Sequence, residues 1–205
     1  MTARFTAGSA HGPPPPRAGG PWLFPGTSTP PPRDFPQAVL FDRDGTLVAD
    51  VPYNGDPERV VPMPTAREAV DAVRARGIPV GVVSNQSGVA RGLLTKRQVL
   101  AVKRRTETLL GPFAVWAVCP HLLGCGCRKP APGLILAASH WLGVPVSRVA
   151  VIGDIGSDVA AADAAGAHGV LVPTPATRPE EIRAARDTAV DLRGAVRMVL
   201  AGAVR

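Results

Sequence analysis

QAVLFDRDGT, residues 37–46, is a short apolar run that breaks into charge and then turns. Residues 37–41 have the length and apolar content of a buried strand. Asp42 and Asp44 stand two positions apart, so on leaving an extended strand they face the same side. Gly45 permits the sharp turn after them. Two carboxylates at one strand end suit a hard divalent cation such as Mg²⁺, or a nucleophile with an acid/base beside it. Taken alone, the Asp-Gly step also reads as an ordinary polar turn. It is not an EF-hand loop, because Gly45 comes too early and the later ligand spacing is absent.

The same texture repeats down the chain. Apolar runs at 78–83, 113–118, 148–153 and 168–172 read as strands. Between them, 65–77, 95–111, 132–143 and 157–166 read as helices. Thr65 with Glu68 and Thr95 with Gln98 have capping-box spacing, Gly77 can end its helix in a left-handed conformation, and Pro132 fits a first helical turn. After residue 178 the pattern predicts a helix, a short strand and a last helix. Continuous apolar strands alternating with helices predict an α/β fold, a doubly wound open parallel sheet of about five strands. In such sheets ligands bind beyond the C-terminal strand ends, so the residues just past each strand decide the function.

Composition narrows the class. The 205 residues are 45% hydrophobic and 19% charged, ordinary for a globular protein with its own core. No apolar run approaches a membrane span, and the N-terminus lacks the apolar stretch of a signal peptide, so a cytoplasmic protein with reduced thiols is expected. Residues 1–36 hold ten of the 23 prolines; they are expected to be a disordered Pro/Gly-rich tail, with residues 37–205 as one domain and a monomer as the working unit. The net charge of +7 is spread over an Arg- and Ala-rich chain with 4% aromatics and no alternation of basic and aromatic residues. Nucleic acid is therefore not the expected partner.

The other strand ends carry chemistry too. Ser84-Asn85-Gln86-Ser87-Gly88 offers small hydroxyl and amide donors fit for phosphate, though an ordinary loop has the same composition. Arg128 and Lys129 come after the third strand, where a fixed lysine can neutralise phosphate. Gly153-Asp154-Ile155-Gly156-Ser157-Asp158 supplies two more carboxylates. A helix cap explains Ser157 or Asp158, but explains Asp154 less well. Acids, then hydroxyl and amide, then lysine, then acids, each after a strand of one parallel sheet, converge on one site.

In that order, DRDGT, SNQSG, RKP and GDIGSD resemble the four motifs of the haloacid dehalogenase superfamily of phosphotransferases, over roughly residues 37 to 195. DRDGTL, SNQSGVARG and CPH…CGCRKP more closely resemble the small phosphatases that remove the 7-phosphate of D-glycero-D-manno-heptose 1,7-bisphosphate; histidinol-phosphate phosphatases share most of these motifs. The resemblance implies Asp42 as nucleophile and Asp44 as acid/base. It implies Mg²⁺ on Asp42, the Asp44 carbonyl and Asp154, and phosphate on Ser84 and the Asn85 backbone. Lys129 would offset charge, and Arg128 and Asp50 would reach a small phosphorylated sugar. Against the family pattern, Ile155 stands where the heptose enzymes usually carry lysine. With only a short flap at 47–62 and a short loop before Lys129, the enzyme is expected to be capless. The alternatives are the same chemistry on histidinol phosphate or on nucleic-acid ends, and a non-catalytic binding module that keeps the fold.

All three cysteines lie in CPHLLGCGC, residues 119–127. Cys119, His121, Cys125 and Cys127 are the Cys₃His complement of a closed tetrahedral Zn²⁺ site, which leaves no position for water and is therefore structural. A disulfide would leave an odd thiol and contradict the compartment. The zinc loop would pin Arg128 and Lys129. Only Leu122-Leu123-Gly124 separates His121 from Cys125.

Overall fold

The computed structural model describes residues 19–25 and 36–202. Six strands form one sheet: β1 (Trp22–Pro25), β2 (Ala38–Phe41), β3 (Val80–Asn85), β4 (Val115–Cys119), β5 (Val149–Gly153) and β6 (His168–Leu171), in the spatial order β1-β4-β3-β2-β5-β6. From β4 to β6 every pairing is parallel. The sheet order reverses at β2, the first parallel strand, which has β3 on one side and β5 on the other; this is the doubly wound arrangement.

Residue alternation along β2 explains how the sheet is covered. Val39 and Phe41 face one cluster with Val70 and Val73 of α1 (Ala66–Arg74), Val102 of α2 (Lys96–Leu110) and Val196 and Val199 of α6 (Leu192–Leu200). Ala38 and Leu40 face the other, with Leu134, Ile135 and Ala138 of α3 (Gly133–Leu142) and Ala161 and Ala162 of α4 (Gly156–Ala165). All four β2 residues are fully buried, and each large apolar side chain so placed contributes about 1.5–3 kcal/mol. A short α5 (Pro179–Ala184) precedes the isolated bridge Leu171–Thr188, which stands for the short strand expected there. No helix is long and apolar enough to cross a membrane among the described residues. The segments after β2 and after β4 carry no inserted domain; the first holds only a 3₁₀ turn at Pro57–Arg59.

Two expectations change. Within the stretch expected to be a tail, Trp22–Pro25 pair antiparallel with β4, Trp22 opposite Val118 and Phe24 opposite Trp116. The rest of that stretch lies outside the described residues, apart from residues 19–21 and 36. The Thr65–Glu68 capping box does not form: Thr65 takes φ 61° and caps nothing, because the chain enters α1 through a turn in which Ala66 N–H donates to Met63 O. The Thr95–Gln98 box does form, with both reciprocal bonds, at the start of α2.

Candidate active site

The motifs meet at the C-terminal edge of the sheet, at the crevice where β2 and β5 part company. A cleft of about 320 Å³ opens there, with Asp42, Asp44, Asp50, Asn85, Lys129 and Asp154 on its walls. Asp42 continues β2 directly, and its backbone N–H donates to Ile152 O of β5 at 2.9 Å. Gly45 then turns with φ 81°, and a Cβ there would collide with the Asp154 carboxylate. Glycine is thus required both for the turn and for the approach of the third acid. Thr46 Oγ1 donates to Asp154 Oδ1 at 3.3 Å, and Thr177 Oγ1 to the Asp154 carbonyl at 2.6 Å.

Lys129 is the hub. It is 3% exposed; Nζ donates to Asp42 Oδ1 at 2.5 Å and to Val83 O at 2.9 Å, and stands 2.6 Å from Asp158 Oδ1. Burial works against its charge, but Asp158 and Asp42 outweigh burial and raise its pKa. Asp158 is a cleft residue whose contact with Lys129 helix capping conceals in the sequence. It sits in the first turn of α4 and does accept from Ile155 N–H at 3.2 Å, yet its other oxygen faces Lys129. The second carboxylate of GDIGSD was the available signal.

Oxygens of Asp42, Asp154 and Asp158 lie within 4.8 Å of one another. Three buried carboxylates against one ammonium leave excess negative charge at the floor of the cleft, which is costly without a further cation. The strain shows in the acids: burial first, with Asp158, Asp44 and Asp154 adding and Lys129 opposing, lifts Asp42 well above the usual carboxylate range. Burial and Asp158 push Asp154 up to about 7. An all-oxygen donor set with surplus negative charge fits a hard divalent ion such as Mg²⁺.

Asp44 is held differently. Arg43, 2% exposed, donates from Nε and Nη2 to its two carboxylate oxygens, both at 2.8 Å. Gln86 Nε2 donates to Asp44 Oδ2 at 2.9 Å and to Ser84 Oγ at 3.0 Å. Neither Arg43 nor Gln86 was singled out from sequence. Ser84 is 1% exposed and sits beneath the cleft rather than on its wall. Asn85 faces the cleft, but its side-chain amide is bonded to the backbone of Lys129. Asp50 stands at the exposed edge, and Arg128 is half-buried outside the wall, with Nη1 buried and unpartnered.

Cys119, His121, Cys125 and Cys127 are brought together beside this site, their ligand atoms within 4.8 Å of one another. Successive contacts run 3.2 Å (Cys127–Cys119), 3.3 Å (His121 Nδ1–Cys127), 3.6 Å (Cys119–Cys125) and 3.7 Å (Cys119–His121 Nδ1). Zinc bonded to sulfur at about 2.3 Å and to nitrogen at about 2.0–2.1 Å would give tetrahedral edges of roughly 3.5–3.8 Å, so the set fits a metal of that kind. No disulfide joins the three thiols. Against the effect of burial, the N–H groups of Arg128 and Cys127 bring the Cys125 thiol down to about 6, whereas burial raises the Cys119 and Cys127 thiols.

The chain is similar to known proteins in sequence and in fold. The family model described as HAD-hydrolase-like matches residues 126–195. A D-glycero-β-D-manno-heptose-1,7-bisphosphate 7-phosphatase of Mesorhizobium japonicum is 38% identical over 157 residues, 68% of this chain and 72% of that protein. The crystal structure of a HAD-like phosphatase from Mesorhizobium loti superposes with a TM-score of 0.76 at 30% identity, covering 91% of this chain and 96% of that one. A D,D-heptose 1,7-bisphosphate phosphatase from B. bronchiseptica, complexed with magnesium and phosphate, shares the fold with a TM-score of 0.71 at 24% identity, covering 80% of this chain and 99% of that one.

Proposed function

The chain belongs to the HAD-like phosphatases, in the family of the heptose 1,7-bisphosphate 7-phosphatases, and from that premise we propose that it hydrolyses the 7-phosphate of D-glycero-D-manno-heptose 1,7-bisphosphate through an aspartyl-phosphate. The observation that carries the reading is the position of Lys129. One buried ammonium touches Asp42 at 2.5 Å and Asp158 at 2.6 Å, at the point where three strand ends deliver acids and amides to one cleft.

The chemistry rests on these residues. An oxygen of Asp42 attacks phosphorus as the bond from phosphorus to the sugar oxygen breaks. Asp44, protonated, gives its proton to the departing alkoxide. The ionised Asp44 then takes a proton from water, whose oxygen attacks the aspartyl-phosphate and frees Asp42 and inorganic phosphate. Lys129 remains charged throughout and offsets the negative charge of nucleophile and phosphoryl group. Bound Mg²⁺ would stabilise charge on the phosphoryl oxygens; Asp42, the Asp44 carbonyl and Asp154 would hold it, with Asp158 keeping Lys129 in place. Ser84 and the loop from Asn85 would border the phosphate, while Asp50 at the cleft edge and Arg128 would reach the sugar. Zn²⁺ on Cys119, His121, Cys125 and Cys127 would have a structural role.

The test is phosphate release by Mg²⁺-loaded protein from both anomers of the bisphosphate, from histidinol phosphate and from a phosphorylated oligonucleotide. Heptose bisphosphate should be preferred, and Asp42→Asn should lower turnover by more than about a thousandfold without unfolding the protein. Preference for histidinol phosphate would replace the substrate and keep the mechanism. Wild-type turnover by Asp42→Asn would remove the nucleophile.

A further inference from the structure

Among the described residues, the Asp44 carboxylate is held by a pair of side chains from two different strand ends. Arg43 grips both oxygens at 2.8 Å in a planar fork. Gln86 adds a third donor at 2.9 Å, and its amide is in turn oriented by Ser84 Oγ at 3.0 Å and anchored by its backbone N–H on Cys119 O at 2.7 Å. The guanidinium is almost wholly buried, and burying such a charge is expensive unless every partner is in place. Its ion-pair partner is the Asp44 carboxylate on the neighbouring residue, too close in sequence for the pair to tie distant parts of the fold together.

We propose that Arg43 and Gln86 are the positioning pair of the acid/base: they set the direction in which the Asp44 carboxyl group faces the leaving oxygen. This rests on Asp44 being the acid/base, as proposed above. General acid catalysis depends on placing the proton within hydrogen-bond reach of the reacting oxygen, and a carboxylate gripped at three points keeps one orientation. Lysine cannot replace Arg43, since a point charge on a flexible stem does not reproduce the two parallel bonds.

The leaving group separates this role from a merely structural one. An alkoxide leaves only with a proton, whereas p-nitrophenolate leaves well without one. In the step that forms the aspartyl-phosphate, residues that aim the proton therefore matter for the first ester and little for the second. The experiment measures kcat and KM for heptose 1,7-bisphosphate and for p-nitrophenyl phosphate in the wild type, Arg43→Lys, Gln86→Met and Asp44→Asn, with thermal melts of each. In Arg43→Lys and Gln86→Met, kcat/KM for the sugar ester, which covers the steps up to departure of the leaving group, should fall about ten- to a hundredfold, at least about tenfold further than for p-nitrophenyl phosphate. Gln86→Met keeps the volume and the backbone bond to Cys119, so it carries the test if Arg43→Lys does not fold. Equal losses of kcat/KM on both esters would overturn the inference and leave the pair a structural role. If Asp44→Asn lowers kcat/KM equally for the two esters, Asp44 is not the acid and the inference falls with that reading; a common loss in kcat alone reports its second role, as base toward water. If Asp44→Asn discriminates between the esters and the two variants do not, the inference alone fails.

Discussion

Asn85 and Lys129 face each other across two loops and exchange a matched pair of hydrogen bonds: Asn85 Nδ2 donates to Lys129 O, and Lys129 N–H donates to Asn85 Oδ1, both at 3.1 Å. The amide closes onto the lysine as a second strand would, and it sets the height at which Nζ enters the site. Asn85→Ala removes both bonds. At about 0.5–1.5 kcal/mol for each, the loss of stability should be about 1–3 kcal/mol. Because the brace holds the cation against Asp42, kcat should fall by about tenfold or more as well. Thermal melts and steady-state kinetics on one preparation check both. A variant that is less stable but fully active would show that Lys129 is placed by Asp42 and Asp158 alone.

The sequence showed those parts of this arrangement that are local. The capping box of α2 is a contact between Thr95 and Gln98 in one turn, and it forms as the spacing predicts. Asp42 and Asp44 could be placed together because a strand alternates sides, and the Cys/His set because nine neighbouring residues can hold one ion. The long-range parts stayed hidden. Asp158 satisfies a helix-capping pattern, and its contact with Lys129 comes from packing α4 against the loop after β4, which no local pattern carries. The composition of its loop marks Asn85 as a phosphate donor; its side chain is turned to Lys129 because the ends of β3 and β4 are in register, Asn85 opposite Cys119. Strand β1 was hidden by composition. Trp22-Leu23-Phe24 lies among prolines, and proline is tolerated at an edge strand where a central strand would exclude it.

That edge strand has a measurable weight. Trp22 and Phe24 cover Leu94, Val99 and Val118, and the Lys96 ammonium sits 5.2 Å from the Trp22 ring centroid. Without the aromatic cover, β4 would present an apolar edge suited to unwanted pairing. Trp22→Ala should cost about 1–3 kcal/mol from half-buried apolar area, with about 0.5–1 kcal/mol more from the cation. Trp22 stands opposite Val118, near the end of β4 that leads to the site, but no residue of β1 lines the cleft, so kcat should change little. Denaturant titration gives the first quantity and phosphate release the second. Unchanged stability would mean that residues 22–25 do not hold the edge in solution.

The Cys/His cluster is joined on both sides to the residues proposed for catalysis. From Cys119, the carbonyl accepts the Gln86 N–H at 2.7 Å; beyond Cys127, Lys129 comes after one residue, and Gly133 N–H donates to Gly126 O at 2.9 Å to close the loop onto α3. Removing a ligand should therefore disturb the Lys129 hub and the Gln86 grip on Asp44 together, although no cysteine touches the cleft. Structural zinc contributes up to about 10–16 kcal/mol to small domains, and here it needs to order only one loop of a domain with its own core, so a fraction of that is at stake. The purified protein should carry one zinc per chain by elemental analysis. Cys127→Ser should lose the zinc, lower Tm and reduce kcat by about tenfold or more, since buried Cys127 is the ligand nearest Lys129 in the chain. Wild-type Tm and kcat in zinc-free protein would show that packing alone holds the loop. Zinc lost with a lower Tm but an unchanged kcat would confine the cluster to stability and cut its link to the active site.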